Sequence, residues 1–221
     1  MPLVVALDGP AGAGKSTIAK GVSKKLGAIY VDTGAMYRAT ALFMLRNNID
    51  TEDEKAVSDK VKDLDISIKF EDGAQVVVLN GENVNGFIRT EEVGKAASKV
   101  SKYPAVRSKL VELQRKLASK ESVVMDGRDI GTVVLPNANP KIYLTASSKV
   151  RAKRRFDELT AKGEKCDIDT IEKDIIERDY QDMHREISPL KQADDAILVD
   201  TSDMTIEQVE EHILKLCRER M

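Results

Sequence analysis

Gly9-Pro10-Ala11-Gly12-Ala13-Gly14-Lys15-Ser16 fits the spacing Gly-x-x-x-x-Gly-Lys-[Ser/Thr] of a phosphate cradle, the P-loop. The glycines let the chain turn sharply and bring bare N–H groups up to phosphate oxygens. Lys15 is a mobile point charge able to bridge the two outer phosphates of a nucleoside triphosphate, and the Ser16 hydroxyl can sit on Mg²⁺. Thr17 and the residues after it open a helix whose N-terminal N–H groups and dipole add to the anion site. The apolar run Leu3-Val4-Val5-Ala6-Leu7-Asp8 precedes the loop, and Ile18, Val22 and Leu26 follow at i, i+4, i+8. That strand–loop–helix context separates the motif from a chance glycine-rich turn.

Other polar groups recur at element ends. Val123-Val124-Met125-Asp126 is an apolar strand ending in an acid, and it runs into Gly127-Arg128-Asp129. This is a Walker B type of element, at the strand edge where open α/β sheets bind ligands. A second strand ends in Asp32-Thr33-Gly34, with Tyr37 and Arg38 in the helix that follows. Ile171, Ile175, Arg178, Asp182 and Arg185 are spaced i, i+4, i+7, i+11, i+14, so an inward-facing stripe continues as Arg–Asp–Arg. The spacing allows a solvated ion pair or a row of charges lining a cleft. Arg151, Arg154 and Arg155 cluster on another helix, as a solvated face or as arginines that close over phosphates.

The elements that must position these groups alternate strand and helix. Gly27 ends the first helix, and Ala28–Val31 forms the second strand. The next helix carries Ala39, Leu42 and Phe43 inward and closes at Asn47-Asn48. Thr51-x-x-Glu54 reads as a capping box for a helix with Val57, Val61 and Leu64 inward. The period then changes to two. Ile66–Phe70 alternates, Glu71-Asp72-Gly73 is a turn, Val76–Leu79 is a strand, and Asn80-Gly81 is a further turn before Val84. This antiparallel meander, about Asp65–Val93, is expected to move relative to the core. Ser98 lies in a helical stretch after Thr90. Pro104 opens a helix with Val106, Leu110, Leu113 and Leu117 inward and Arg107 near its start. Lys141–Leu144 is the fourth core strand, and Ser147 or Ser148 caps the arginine helix, which ends near Gly163. Asp169-x-x-Glu172 starts the next helix, and Ala196–Asp200 is the last strand. Thr205-x-x-Gln208 caps a final helix with Val209, Ile213 and Leu216 inward. Five core strands alternating with helices predict a parallel sheet covered on both faces.

The 221 residues suit one α/β domain with insertions. Lys+Arg is 35 and Asp+Glu 37, a balance that disfavours a long nucleic-acid polymer as the main ligand, and the 4% aromatic content offers little base stacking. No apolar run approaches a membrane span, and no signal peptide is read at the N-terminus. Cys166 and Cys217 match no metal or redox spacing and read as free thiols of a reducing cytoplasm.

With these residues in view the chain resembles the bacterial cytidylate kinases, a family of P-loop nucleoside monophosphate kinases. The resemblance covers essentially the whole chain. It is carried by Asp8–Ser16, Asp32-Thr-Gly-Ala-Met-Tyr-Arg38, Ile88-Arg-Thr-Glu-Glu-Val93, Asp126-Gly-Arg-Asp-Ile-Gly-Thr132, and Glu177-Arg-Asp with Arg185 and Ser188-Pro-Leu190. It implies a five-stranded parallel sheet with helices, a small antiparallel monophosphate-binding insert over 65–93 and a short lid over 151–166. The core then comprises 1–64, 94–150 and 167–221. It implies transfer of phosphate from ATP, with Mg²⁺, to CMP and dCMP. Gly9 to Thr17 would hold the ATP phosphates, with Ser16 on Mg²⁺ and Asp126 reaching the metal through water. Thr33, Arg38 and Arg128 would hold the acceptor's phosphate; Ser98, Arg107 and Asp129 would read the base; Arg178 and Asp182 would hold the ribose, supported by Arg185. Lys15, Arg128 and Arg155 would neutralise the transferring group. Thr33 stands where many relatives have Ser. Lid closure would exclude water, which otherwise accepts the phosphoryl group. A cytoplasmic monomer is expected.

Three other readings stay open at this level. One is a P-loop kinase for another nucleotide or a metabolite. The Arg/Asp/Ser set for a base-bearing monophosphate argues against a non-nucleotide acceptor. A second is a nucleotide switch, but the Asn-Lys-x-Asp segment a GTPase should show is not supplied by Asn137-Ala-Asn-Pro-Lys141. A third is a nucleic-acid-binding module, which the slightly acidic balance opposes.

Overall fold

A computed structural model describes residues 2–71 and 73–220. In chain order its elements are β1 (Val4–Asp8), α1 (Lys15–Leu26), β2 (Ile29–Asp32), α2 (Thr33–Arg46), α3 (Glu54–Lys60), β3 (Ile66–Glu71), β4 (Ala74–Leu79), β5 (Glu82–Asn83), α4 (Glu91–Val100), α5 (Pro104–Ala118), β6 (Val123–Gly127), β7 (Lys141–Thr145), α6 (Ser148–Ala161), α7 (Ile168–His184), β8 (Ile197–Asp200) and α8 (Ile206–Arg218). The larger sheet has the order β2-β6-β1-β7-β8, the smaller β3-β4-β5. The expected five-stranded parallel sheet with helices and the small antiparallel sheet are both present.

Local chemistry explains most boundaries. Gly27 ends α1 in the left-handed conformation at φ +63°. Pro104 opens α5. Thr205 and Gln208 form a complete capping box on α8, and Ser147, not Ser148, caps α6. Three helix starts differ from the sequence expectation. α1 begins at Lys15, two residues before Thr17. The cap of α3 is Asp53, whose side chain accepts from the Ala56 N–H, and not Thr51. Thr51 is buried, and its carbonyl accepts from the Tyr103 hydroxyl at 3.0 Å. The cap of α7 is Asp167, accepting from the Thr170 N–H, and not Asp169. At α3 and α7 a neighbouring Asp takes the role, and its short carboxylate is as good a cap as Thr.

The chain divides into two compact units. The first contains Leu3–Ala28 and Ser122–Met221. In it β6, β1, β7 and β8 run parallel, with Asp8 opposite Gly127 and Leu7 opposite Ile142. Val5, Ala6 and Leu7 are almost wholly buried, as the unbroken apolar run requires. Helix α1 packs on α8 and β6, and α6 packs on α7. Cys217 is buried in this core; Cys166 and Cys217 are both free thiols.

The second unit contains Ile29–Glu121. Its apolar cluster joins Met36, Ala39 and Phe43 of α2, Val57 of α3, Val77 and Leu79 of β4, Val84, Ile88, Val93 of α4 and Leu110 of α5. The meander therefore shares one core with the helices of its unit. The predicted turn includes Asp72, which lies outside the described residues; beside it, Glu71 pairs with Ala74. On α5 the buried face includes Arg107, Leu110 and Gln114, while Leu113 and Leu117 are only partly covered. Among the described residues no helix is long and apolar enough to cross a membrane.

Candidate active site

In the first unit, β1 and β6 are adjacent and parallel, so the segments after Asp8 and Gly127 leave the sheet side by side. The segment after β1 is the predicted phosphate cradle. Gly9 has φ +148°, and a Cβ there would stand 1.9 Å from the Leu144 carbonyl oxygen, so only glycine fits. Lys15 is buried, and its Nζ donates to the Pro10 carbonyl at 2.6 Å. Burial and the nearby Arg128 charge hold its ammonium well below the usual lysine range, against the pull of Asp126, Asp8 and Asp182. A phosphate group would add counter-charge beside this lysine and favour its charged form. The Ser16 hydroxyl donates to the Asp126 carboxylate at 2.9 Å, which brings together the two predicted metal-side residues.

Asp8 was read from sequence only as the end of a strand. Its two carboxylate oxygens accept the Ile130 N–H at 2.8 Å and the Gly131 N–H at 2.7 Å, which fixes the turn directly after Asp129. Burial pushes its carboxyl up to about 6, although those two N–H groups pull the other way.

Arg128, Asp129, Asp182 and Arg185 form one cluster. Arg128 Nε donates to Asp182 Oδ2 at 2.8 Å. Arg185 lies 3.7 Å from Asp129 Oδ1 and 4.0 Å from Asp182 Oδ1. Asp129 and Asp182 are both buried. Burial alone would raise the Asp182 carboxyl, but the Arg128 guanidinium, by charge and hydrogen bond, holds it below the ordinary carboxylate value. Burial alone would lower the Arg128 guanidinium, but Asp182, with Asp126 and Asp179, raises it.

The inward stripe of α7 departs from the expected one at Arg178, while Ile171 and Arg185 are partly covered. Its buried residues are Ile175, Asp179 and Asp182, while Arg178 is exposed. Arg185 lies one residue beyond the helix and donates through Nε to the Ser188 carbonyl at 2.6 Å. Asp179, four residues after Ile175, is the position the sequence reading passed over. It accepts from Arg151 Nη2 at 2.6 Å.

The three arginines of α6 have different surroundings. Arg151 is buried and donates also to the Ala146 carbonyl at 2.9 Å and, through Nη1, to the Ala11 carbonyl of the cradle at 2.8 Å. Arg154 holds the Thr201 carbonyl at 2.7 Å. Arg155 is exposed and pairs with Glu158 at 2.8 Å.

The second unit carries the other predicted residues. Thr33 is buried as the first residue of α2. Arg38 donates to Asp32 Oδ2 at 2.9 Å. Arg107 is buried, donates to the Ser101 carbonyl at 3.2 Å and lies over the Tyr37 ring at 5.7 Å. Ser98 is half-buried on α4. Gln75 of the meander braces Asp32 from both sides: its Oε1 accepts the Asp32 N–H at 2.8 Å, and its Nε2 donates to the Asp32 carbonyl at 3.1 Å. No local pattern announces that brace, because 43 residues separate its partners.

A family model described as cytidylate kinase matches residues 5–219. A cytidylate kinase of Lactobacillus johnsonii is 52% identical over 216 residues, covering 98% of this chain and 94% of its own. One from Geobacillus sp. (strain WCH70) is 48% identical over 217 residues, covering 98% and 97%. Among solved structures, a gluconokinase from Sinorhizobium meliloti 1021 aligns with 99% of this chain and 93% of its own at a TM-score of 0.50 and 12% identity. A shikimate kinase from Bacteroides thetaiotaomicron aligns over 98% of both chains at 0.50 and 13%. The last two are likenesses of fold.

Proposed function

The chain belongs to the cytidylate kinase family, and from that premise we propose that this kinase transfers the γ-phosphoryl group of ATP to CMP and dCMP, in the cytoplasm and as a monomer. The observation that carries the reading is the cluster of Arg128 and Arg185 with the buried Asp129 and Asp182, beside the cradle that holds Lys15. Buried carboxylates paired with arginines suit an acceptor that has both a phosphate and hydrogen-bonding base or sugar groups.

The backbone of Gly9 to Thr17 binds the ATP phosphates, and Lys15 bridges the outer two. Thr33, Arg38 and Arg128 hold the acceptor's phosphate. Ser98, Arg107 and Asp129 read the base. A carboxylate at Asp129 accepts from the exocyclic amino group of cytosine, where uracil presents an acceptor and is repelled. Asp182 and Arg178 hold the ribose, and Arg185 supports them.

The Ser16 hydroxyl and the Asp126 carboxylate are hard oxygen groups within hydrogen-bond distance of each other. They fit Mg²⁺, which takes few protein oxygens and keeps waters and substrate phosphates. When bound, the metal supplies charge neutralisation on the donor phosphates. The protein's own task is to bring two anions into line and offset their charge, so no general base is assigned. Arg155 is the lid arginine suited to this. It is half-exposed, its ion pair is with Glu158 on the surface, and it can change partner at little cost. Arg151 instead belongs to the frame of the cradle.

The test is ADP formation with ATP, Mg²⁺ and a panel of CMP, dCMP, UMP, AMP, GMP, shikimate and no acceptor. Fast turnover with CMP and dCMP alone is the expected result. Equal activity with every nucleotide would remove the cytosine assignment, and hydrolysis without an acceptor would favour a switch.

A further inference from the structure

We infer that Arg89 is a second arginine for the acceptor's phosphate in the second unit, working beside Arg38; this rests on the acceptor reading above. Asp32 is buried and fully engaged. Its Oδ1 caps α2 through the Ala35 N–H at 2.9 Å, and its Oδ2 accepts from both Arg38 at 2.9 Å and Arg89 at 3.0 Å. Two guanidiniums thus converge on one carboxylate oxygen, directly beside Thr33.

The charge count is unbalanced. Two cations share one anion, and each guanidinium has five N–H donors, of which Asp32 takes one. The buried Nε of Arg38 has no hydrogen-bond partner. A surface ion pair of structural value only would not gain from a second arginine on an oxygen already used. Like charges held together by one carboxylate instead suit an arriving dianion such as a phosphate monoester.

The frame around the pair is fixed while the Arg89 head is not covered. Ile88 is 1% exposed and donates to the Val84 carbonyl at 3.2 Å, and Thr90 caps α4, so the backbone of Arg89 is anchored on both sides. The Arg89 side chain is 62% exposed. Gly34 leaves the space the pair needs: a Cβ there would lie 3.0 Å from Arg38 Nη1 and 3.1 Å from Asp32 Oδ1. Gln75 holds Asp32 itself in place. Arg89 sits in a segment that sequence resemblance singled out without giving the residue a role.

The experiment compares the unaltered full chain with Arg89→Ala and Arg89→Lys, using whichever monophosphate the unaltered enzyme phosphorylates fastest. Arg89→Ala is expected to raise the KM of that monophosphate roughly tenfold or more. The KM of ATP, the melting temperature and the affinity for the matching nucleoside, which lacks the phosphate, should stay within about twofold or a degree or two. Arg89→Lys should recover part of the loss, since it keeps the charge but not the fork. An unchanged monophosphate KM in Arg89→Ala, or equal weakening of nucleoside and nucleotide, overturns the role of Arg89 alone. Preference of the unaltered enzyme for a base other than cytosine overturns the cytidylate assignment and leaves the Arg89 comparison standing. Turnover of no monophosphate at all overturns both.

Discussion

Arg128 and Asp182, 54 residues apart in the chain, meet through a 2.8 Å hydrogen bond that locks the loop after β6 to helix α7. The bond joins a residue proposed to hold the acceptor's phosphate to one proposed to hold its ribose. Asp182→Asn keeps the shape and removes the charge. The expected result is a CMP KM raised about tenfold with the ATP KM unchanged. Arg128 holds the Asp182 carboxyl below its ordinary value of 3.8. Its contribution to stability is therefore present above that value and lost as pH falls through the lowered one. Unfolding curves of the two proteins should differ at neutral pH and converge in strong acid. A gap that does not depend on pH would refute the ionic account.

Asp129 is buried, with Arg185 3.7 Å away. Asp129→Ala should lower the ratio of CMP to UMP turnover by roughly tenfold or more, and change ATP affinity less. If turnover of CMP and UMP fell by equal factors, Asp129 would not be reading the base.

Asp179→Ala strands the buried guanidinium of Arg151 beside the cradle. Removing one partner of a buried pair costs about 3–5 kcal/mol, whereas an apolar pair of similar volume can be near neutral. The single variant should lose about that much in urea unfolding and show a higher ATP KM, because Arg151 also holds the Ala11 carbonyl. The double variant Arg151→Met/Asp179→Leu should regain most of the stability. Equal losses in the single and double variants would contradict this.

Asp8 binds its proton more tightly folded, at about 6, than unfolded, near 3.8. Its contribution is therefore fully present below 3.8 and is lost as pH rises through 6. The difference of about 2 units corresponds to roughly 3 kcal/mol at most. Asp8→Asn should flatten that part of the stability profile between pH 4 and 7. Carboxyl NMR titration of Asp8 should show a midpoint near 6, and a midpoint near 4 would show that the N–H bonds from Ile130 and Gly131 cancel the effect of burial.

Where a residue acts on its near neighbours in sequence, its role was legible. The Gly27 cap, Pro104 and the Thr205–Gln208 box depend on contacts within one turn, and each stands where the pattern placed it. The alternation of Ile66–Phe70 announced the meander because side chains on a strand alternate faces. Where a second side chain nearby could cap the same helix, as at Asp53 or Asp167, the pattern named the region and missed the residue. The resemblance of the quoted segments pointed to the family, and the alternation of strands with helices pointed to the fold. The tertiary structure alone decided which charges meet. The Asp8 carboxylate on the turn after Asp129, Asp179 on Arg151, and Arg38 with Arg89 on Asp32 join residues that no local period relates. Their partners are set by which strand ends and helix faces the packed cores bring together, because a buried charge needs a partner and only the finished fold supplies it.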